Sequence, residues 1–182
     1  MSDEKDELRR YAYITTFSGA HFRFDEPGPF ILKDIVHSLA CTVRFRGHTI
    51  VPYYVAQHCV LVAREMENCG ESKDAVVAGL MHDAHEAYVG DVPSPLKWHC
   101  PEFAAVERRV ENALRVALTP SVDSLIYDLV KSYDRVLLHR EACSLMLPVP
   151  EWALSDGQAV TAWDSFRARL EFRLMAERLG IR

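Results

Sequence analysis

The sequence AGLMHDAHEAYVGD occupies residues 78–91, and this stretch decides how the rest of the chain is interpreted. Apolar side chains recur around it at the spacing of a buried helix, and Gly90 is suited to end that helix. We therefore predict one helix over residues 72–89, with His82 and Glu86 four residues apart on one face. Ionisable groups are costly to bury there unless they are compensated, and a divalent metal ion is the usual compensation.

Two further ligand-type residues interrupt apolar helix faces elsewhere in the chain. The residues three and four positions on either side of His58 are all apolar, so this imidazole is predicted to face the core. Asp134 interrupts the apolar face of a later helix in the same way, and a carboxylate there needs a partner. That partner is either Arg135 or His139 in a purely structural arrangement, or a metal ion shared with the histidines.

Together these helices present two imidazoles and two carboxylates to one apolar interior: His58, His82, Asp83 and Asp134. Four such ligands leave open positions on a six-coordinate ion, as a catalytic site requires. One divalent ion, either Mn, Co, Ni, Fe, Zn or Mg, would suit this ligand set. Water bound to that ion becomes a nucleophile near neutral pH, and Glu86 and Asp91 are positioned to orient it or exchange protons.

Length and composition indicate a single globular domain over residues 1–182 without a nucleic-acid-binding character. The 182 residues are 49% hydrophobic and 26% charged, and the net charge of −5 gives no global basic field. The sequence shows neither a signal peptide nor a long apolar run, so we expect a cytoplasmic protein with no membrane partner. Five cysteines without a CxxC pair fit a reducing compartment, and Cys59 and Cys143 are less favoured as ligands.

The remaining pattern predicts an all-α fold preceded by a small β-hairpin. Alternation around Ser18-Gly19-Ala20 predicts the hairpin over residues 11–24, and the helical core is expected over about residues 34–146. The other predicted elements are a helix starting at Asp34, a helix from Pro52 to about Asn68, an irregular segment over 92–98 forming a cleft wall, and helices over 103–118, 121–146 and 161–179.

Two of the later helices carry predictions about which face is buried. In the helix over residues 103–118, Glu107 is expected on the side that faces water. In the last helix, over residues 161–179, the expected apolar face is formed by Trp163, Phe166, Leu170 and Leu174. The last helix contains no residue pattern that indicates chemistry.

A basic turn over residues 44–49 and a later lysine are candidate substrate contacts. Arg44 offers a bidentate fork for phosphate and Phe45 a stacking face for a base, although the turn taken alone is better explained as a solvated helix end. Lys97 is either a phosphate contact or a surface charge.

The order of these motifs resembles the HD-domain phosphohydrolase superfamily, whose fold is an all-α helical bundle. The resemblance is closer to the small 5'-deoxynucleotidases and the phage dATP triphosphohydrolases, and it covers roughly residues 34–141. It is carried by the following motifs: Arg44-Phe45, His58, HDAHE over 82–86, GDVPSPLK over 90–97, and Asp134. Phe45 departs from the pattern, because better-known members carry tryptophan there.

This resemblance implies a role for each motif residue. The metal ligands would be His58, His82, Asp83 and Asp134, and the catalytic carboxylates Glu86 and Asp91. The nucleotide would be held by Arg44, Phe45 and Lys97, while His48 and His85 would only support the site. The implied substrate is a deoxyribonucleotide attacked at its α-phosphorus, as a monophosphate or a triphosphate, and the family suggests a homo-oligomer.

Two alternatives remain open at the level of sequence. One is hydrolysis of another phosphate ester, such as a cyclic dinucleotide or an alarmone, although no extra domain supports it. The other is a non-catalytic, metal-stabilised module that binds a nucleotide or a protein. The presence of Glu86 and Asp91 argues against this second alternative, since a structural site has no need of them.

Overall fold

A computed structural model of the chain describes residues 12–119 and 122–181. The strands are β1 (Tyr13–Thr15) and β2 (His21–Arg23), and the helices are α1 (Leu32–Cys41), α2 (Val55–Asn68), α3 (Lys73–Met81), α4 (Glu86–Val89), α5 (Ser94–His99), α6 (Pro101–Leu118), α7 (Ser124–Leu145) and α8 (Ser165–Leu179). This confirms the predicted helical bundle with an N-terminal hairpin. Within the described ranges, no helix combines the length and the apolar character needed to cross a bilayer.

Helix α2 lies at the centre of the bundle and packs against α1, α3, α7 and α8. Nine of its side chains are buried, including His58. Its approach to α3 is close at Gly79, where an added Cβ would lie 2.5 Å from the sulfur of Met66. The small residue therefore lets α3 pack closely against the second half of α2, at Val62, Ala63 and Met66.

The hairpin is joined to the bundle by hydrogen bonds and by an aromatic stack. Strands β1 and β2 pair antiparallel, and the side chain of Phe22 stacks on Tyr88 at 3.9 Å between ring centroids. The carboxylate of Asp34 accepts bonds from the hydroxyl groups of Thr16 and Ser18, at 2.7 and 2.8 Å. The hairpin prediction is confirmed where it can be compared, and Tyr11 lies outside the described residues.

The predicted helix over residues 72–89 is wrong in one respect, because it is interrupted. Helix α3 ends at Met81, and residues 82–85 form a tightened turn before α4 begins. The cause is local: the Nδ1 atom of His82 lies 2.8 Å from the carbonyl oxygen of Gly79, which would otherwise accept the next helical hydrogen bond. Ser72 caps the start of α3 by accepting a bond from the Ala75 amide.

Several predicted boundaries are also corrected. Helix α2 begins at Val55 instead of Pro52, because the Val55 amide donates to the carbonyl of Thr42 in a pair of extended segments. Residues 94–99 are helical, not irregular. Helix α1 begins two residues before Asp34. Ser121, the predicted start of α7, and the preceding Pro120 lie outside the described residues, and α7 begins at Ser124 after the N-cap Asp123.

The faces predicted for two helices are wrong in part, although Trp163 is buried as expected. Glu107 is only 8% exposed, because α5 packs against this side of α6 and supplies a cation to the carboxylate. In α8, Phe166 and Leu174 are exposed, whereas the side packed on α1 and α2 is formed by other residues. That buried side consists of Ala168, Phe172, Met175, Ala176 and Leu179.

Candidate metal centre and adjoining cavity

Four predicted ligand side chains converge between α2, the turn after α3, and α7. The Nε2 atom of His58 lies 3.0 Å from Asp134 Oδ1, 3.3 Å from His82 Nε2 and 3.6 Å from Asp83 Oδ2. The Nε2 atom of His82 lies 3.1 Å from Asp83 Oδ2 and 4.0 Å from Asp134 Oδ1. Ligand atoms held at about 2.1 Å from one ion have separations of this size. His58, His82 and Asp134 form one group that could hold a metal ion, and the Asp83 carboxylate lies within 3.6 Å of both imidazoles.

Hydrogen bonds to the other ring nitrogens orient both imidazoles. The Nδ1 atom of His58 lies 2.5 Å from Glu141 Oε1, and the Nδ1 atom of His82 lies 2.8 Å from the Gly79 carbonyl oxygen. With Nδ1 donating to an oxygen, the Nε2 lone pair of the neutral ring is left for a metal. Each Nε2 atom is the one that faces the four-residue cluster.

The charges around His58 show that this cluster attracts a cation. Burial, which is the largest influence, lowers the pKa of His58, but the carboxylates of Glu141 and Asp134 outweigh it and raise the pKa to about 9. The pKa of Asp83 is held well below its usual range by His82, His58 and Arg44, although burial opposes this. A proton on His58 therefore occupies a place that a metal ion could take.

Asp134 is partnered by the histidines of the cluster. The alternative partners considered from the sequence are engaged elsewhere or face away: His139 accepts a bond from the Leu154 amide, and Arg135 is exposed.

Cys59, His82 and Asp83 form a second possible ligand group. Burial and nearby carboxylates raise the pKa of the Cys59 thiol well above its usual value, so the thiolate that metals bind is disfavoured.

A cavity of about 430 Å³ opens beside the cluster. Its wall includes most of the motif residues from the sequence, together with two side chains that belong to no motif, Leu138 and Trp152. The lining residues are Arg44, Phe45, Asp83, Glu86, Asp91, Val92, Pro93, Ser94, Pro95, Lys97, Asp134, Leu138 and Trp152. The segment over residues 92–98 thus forms one wall of a cleft, as predicted from its composition.

Glu86 and Asp91 place two carboxyl groups in this wall. Glu86 is 5% exposed, and within the described part of the chain its buried Oε2 atom has no hydrogen-bond partner. Burial, followed by the charges of Asp83 and Asp91, raises the pKa of Glu86 well above its usual value. Burial also raises the pKa of Asp91. An unpartnered buried carboxyl oxygen beside an open cavity is suited to contact a water or a substrate.

The basic turn presents one buried cation and one aromatic ring to the cavity. Arg44 is 8% exposed and its guanidinium pairs with Glu141 at 3.1 Å and with Asp83 at 3.6 Å. Its Cζ atom lies 5.5 Å from the centre of the Phe45 ring. Phe45 and Arg46 both have positive φ, of 53° and 54°, which costs a non-glycine residue about 1–2 kcal/mol. Strain of this kind is concentrated at functional sites.

Lys97 lines the cavity and is held by a buried carboxylate. Its ammonium lies 2.6 Å from Glu107 Oε1, and the Nε2 atom of His85 lies 3.7 Å from the same oxygen. This placement favours a contact with bound substrate over a free surface charge. His85 is buried beside Glu107, whereas His48 is exposed and does not line the cavity.

Two contributors to the site were missed from the sequence. Glu141 is fully buried and accepts hydrogen bonds from Tyr53, His58 and Arg44. It lies seven residues after Asp134, two turns along the same helix face, so the reasoning that identified Asp134 would have found it. Trp152 lies in the loop after α7 and carries no motif signal.

Comparison with known proteins was made on the whole sequence. The sequence model of a family described as 5'-deoxynucleotidase YfbR-like matches residues 44–149. The uncharacterized protein YfdR of Escherichia coli (strain K12) is 37% identical over 155 residues, which are 82% of this chain and 82% of YfdR. The uncharacterized protein RCAP_rcc00048 of Rhodobacter capsulatus is 30% identical over 140 residues, covering 72% of this chain and 71% of that protein.

Proposed function

The chain belongs to the YfbR-like 5'-deoxynucleotidase family of the HD-domain superfamily, and from that premise we propose that it is a divalent-metal-dependent hydrolase of deoxyribonucleotides. The observation that carries this proposal is that the carboxylates of Asp83 and Asp134 both lie 3.0 to 4.0 Å from the Nε2 atoms of His58 and His82, beside a cavity of about 430 Å³. Water would attack the α-phosphorus, the bond from phosphorus to the 5'-oxygen would break, and that oxygen would take up a proton.

In this proposal the ion is held by His58, His82, Asp83 and Asp134. When bound, a divalent ion would lower the pKa of a water and polarise a phosphoryl oxygen. The protein's part is to aim both Nε2 atoms at the site, because the bonds that Glu141 and the Gly79 carbonyl accept hold each imidazole by its Nδ1 atom.

Glu86 and Asp91 would carry out the proton transfers. Both line the cavity, and burial raises the pKa of each, so either can hold a proton closer to neutral pH than an exposed carboxyl group can. The unpartnered Oε2 atom of Glu86 is available to a water or to the leaving 5'-oxygen. General acid–base catalysis by such a group contributes about 10²- to 10⁴-fold to a rate.

Arg44, Phe45 and Lys97 would hold the nucleotide. The two cations are kept in the wall by Glu141 and Glu107, which fixes their positions before substrate arrives. The Phe45 ring lines the same cavity, and its strained backbone fixes the direction in which it projects.

We also expect a homo-oligomer, which light scattering coupled to gel filtration would test.

The test is release of phosphate or tripolyphosphate from a panel of ribo- and deoxyribonucleotides, with Mn, Co, Ni, Fe, Zn and Mg supplied in turn. Phosphate from deoxynucleoside monophosphates would establish a 5'-deoxynucleotidase, and tripolyphosphate would establish a triphosphohydrolase. Asp83→Asn should abolish release, whereas Asp128→Asn, which alters an exposed carboxylate on α7, should not. Absence of release from every nucleotide with a metal ion bound would refute the proposal.

A further inference from the structure

The loop between α7 and α8 contributes an aromatic side chain to the cavity. Trp152 lines it together with Leu138 of α7, although it lies beyond residues 44–149, the part matched by the family. We propose that Trp152 is a further nucleotide-binding residue, on whose indole ring the base stacks. This inference rests on the proposed function and adds to it the part of the site that recognises the base.

The loop is tied to α7, so Trp152 is held at the cavity. The Leu154 amide donates to Nδ1 of His139 at 3.2 Å, and the rings of His139 and Trp152 meet edge to face at 5.9 Å. Further along, Asp156 accepts a bond from Arg140 at 2.6 Å. The α7 partners in these contacts are His139 and Arg140, which lie in the turns after Asp134. The same helix therefore positions both a proposed metal ligand and the indole.

Additional contacts fix the far end of the same loop. Arg140 also pairs with Glu65 of α2 at 3.1 Å, and the Val160 amide donates to the Ser144 hydroxyl at 2.9 Å. A side chain presented by such an anchored segment loses little conformational freedom when a ligand binds. The indole is therefore suited to act as a fixed stacking surface.

The chemistry of the wall changes from charged to apolar along α7. Asp134 belongs to the ligand cluster, Leu138 follows one turn later, and His139 supports Trp152. Five residues of helix correspond to a rise of about 7.5 Å, which leaves room for a sugar between a phosphate at the cluster and a base at the indole. The base is the large uncharged π-system of a nucleotide, and the apolar indole ring of Trp152 is suited to stack against it.

Trp152 is 48% exposed, so about half of its surface remains free for a ligand. The other two tryptophans differ: Trp98 is 78% exposed and does not line the cavity, and Trp163 is 8% exposed between the guanidinium groups of Arg64 and Arg167. Stacking of a base on an aromatic side chain corresponds to roughly 5- to 150-fold in affinity when that side chain is replaced by alanine.

The first experiment compares steady-state kinetics of Trp152→Ala, Trp152→Phe and the control Trp98→Ala in the full chain. With deoxyadenosine 5'-monophosphate, Trp152→Ala should raise KM about tenfold or more while kcat changes little, and Trp152→Phe should retain most of the affinity. With deoxyribose 5-phosphate, which has no base, all three variants should match the wild type. An unchanged KM for the nucleotide, or an equal rise for the base-free sugar phosphate, would overturn the proposal.

A fluorescence titration tests Trp152 independently of turnover. Deoxyadenosine 5'-monophosphate should quench the tryptophan emission of the wild type and of Trp98→Phe, and this quenching should be lost in Trp152→Phe. If the wild type hydrolyses no nucleotide, the proposed function fails, yet the same titration still decides the role of Trp152. Equal quenching in the wild type and Trp152→Phe, or no quenching in either, would refute that role.

Discussion

Replacement of Glu141 by glutamine tests whether one buried carboxylate holds both the metal centre and the substrate-binding arginine. Its Oε1 atom accepts bonds from the Tyr53 hydroxyl at 2.7 Å and from His58 at 2.5 Å. Its Oε2 atom accepts a hydrogen bond from Nε of Arg44 at 3.2 Å and lies 3.1 Å from Nη2 of the same guanidinium. Glutamine keeps the shape of the side chain and one acceptor oxygen, but it replaces the second oxygen with a donor.

The expected cost follows from these contacts. The glutamine oxygen can still accept from Tyr53 and His58, whereas its amide NH₂ would face the N–H groups of Arg44, so the charge-assisted hydrogen bond and the ion pair with Arg44 are lost. A charge-assisted hydrogen bond is worth about 1.5–3 kcal/mol, and removing one partner of a buried ion pair typically costs about 3–5 kcal/mol in total. Arg44 would be left with Asp83, at 3.6 Å, as its remaining ion-pair partner in the described chain. We therefore expect Glu141→Gln to destabilise the metal-free protein by about 3–5 kcal/mol.

The metal affinity of Glu141→Gln is a second quantity that can be measured independently of its stability. Loss of the carboxylate that orients a metal-binding histidine typically weakens metal affinity about 10- to 100-fold. Urea unfolding of the metal-free protein and calorimetric titration with Mn²⁺ measure the two effects separately. Glu67→Gln is the matched control, because Glu67 pairs with Arg178 at the surface and should change neither quantity appreciably. Wild-type stability and metal affinity in Glu141→Gln would refute the positioning role of this carboxylate.

Three further predictions test other parts of the site. Asp83→Ala should abolish metal binding and phosphate release together, whereas Asp128→Ala should affect neither; full activity with stoichiometric metal in Asp83→Ala would exclude Asp83 as a ligand. Glu86→Ala should lower kcat about 10²- to 10⁴-fold with metal retained, and loss of metal in this variant would instead make Glu86 a ligand. Because nearby carboxylates raise the pKa of His58 to about 9 against the opposing effect of burial, the metal-free protein holds a proton there that the ion must displace. Metal affinity should therefore rise about tenfold per pH unit from pH 7 to 9 and level off above, and calorimetry showing no pH dependence would contradict this.

The helical core could be predicted because its apolar residues recur with the helical period over long stretches. The interruption at residues 82–85 could not be predicted, because it depends on a hydrogen bond between the His82 side chain and the backbone carbonyl of Gly79. The face of α8 was misassigned for another reason. Apolar residues occur on both sides of this helix, and its packing on α1 and α2 decides that Phe172 is buried while Phe166 is exposed.

The proposed metal ligands could be predicted because His58 and Asp134 each interrupt an apolar helix face and because His82 and Asp83 belong to a recognisable motif. Glu141 satisfies the same criterion, but its significance depends on partners 83, 88 and 97 positions away along the chain. A buried carboxylate can be interpreted only when the groups that neutralise it are known. Trp152 was unpredictable for the complementary reason, since a tryptophan in a loop becomes a binding candidate only when its position beside a cavity is seen.

The charges around the cavity lead us to expect that an anionic substrate binds more tightly when a metal ion is present. Among the described residues, the cavity is lined by two cations, Arg44 and Lys97, and by four carboxyl groups: Asp83, Glu86, Asp91 and Asp134. Each cation is moreover paired with a buried carboxylate behind it, Glu141 or Glu107. Neither cation therefore offers an uncompensated positive charge to a phosphate. On this argument a divalent ion would supply the missing positive charge, so nucleotide binding should strengthen markedly when the metal is present.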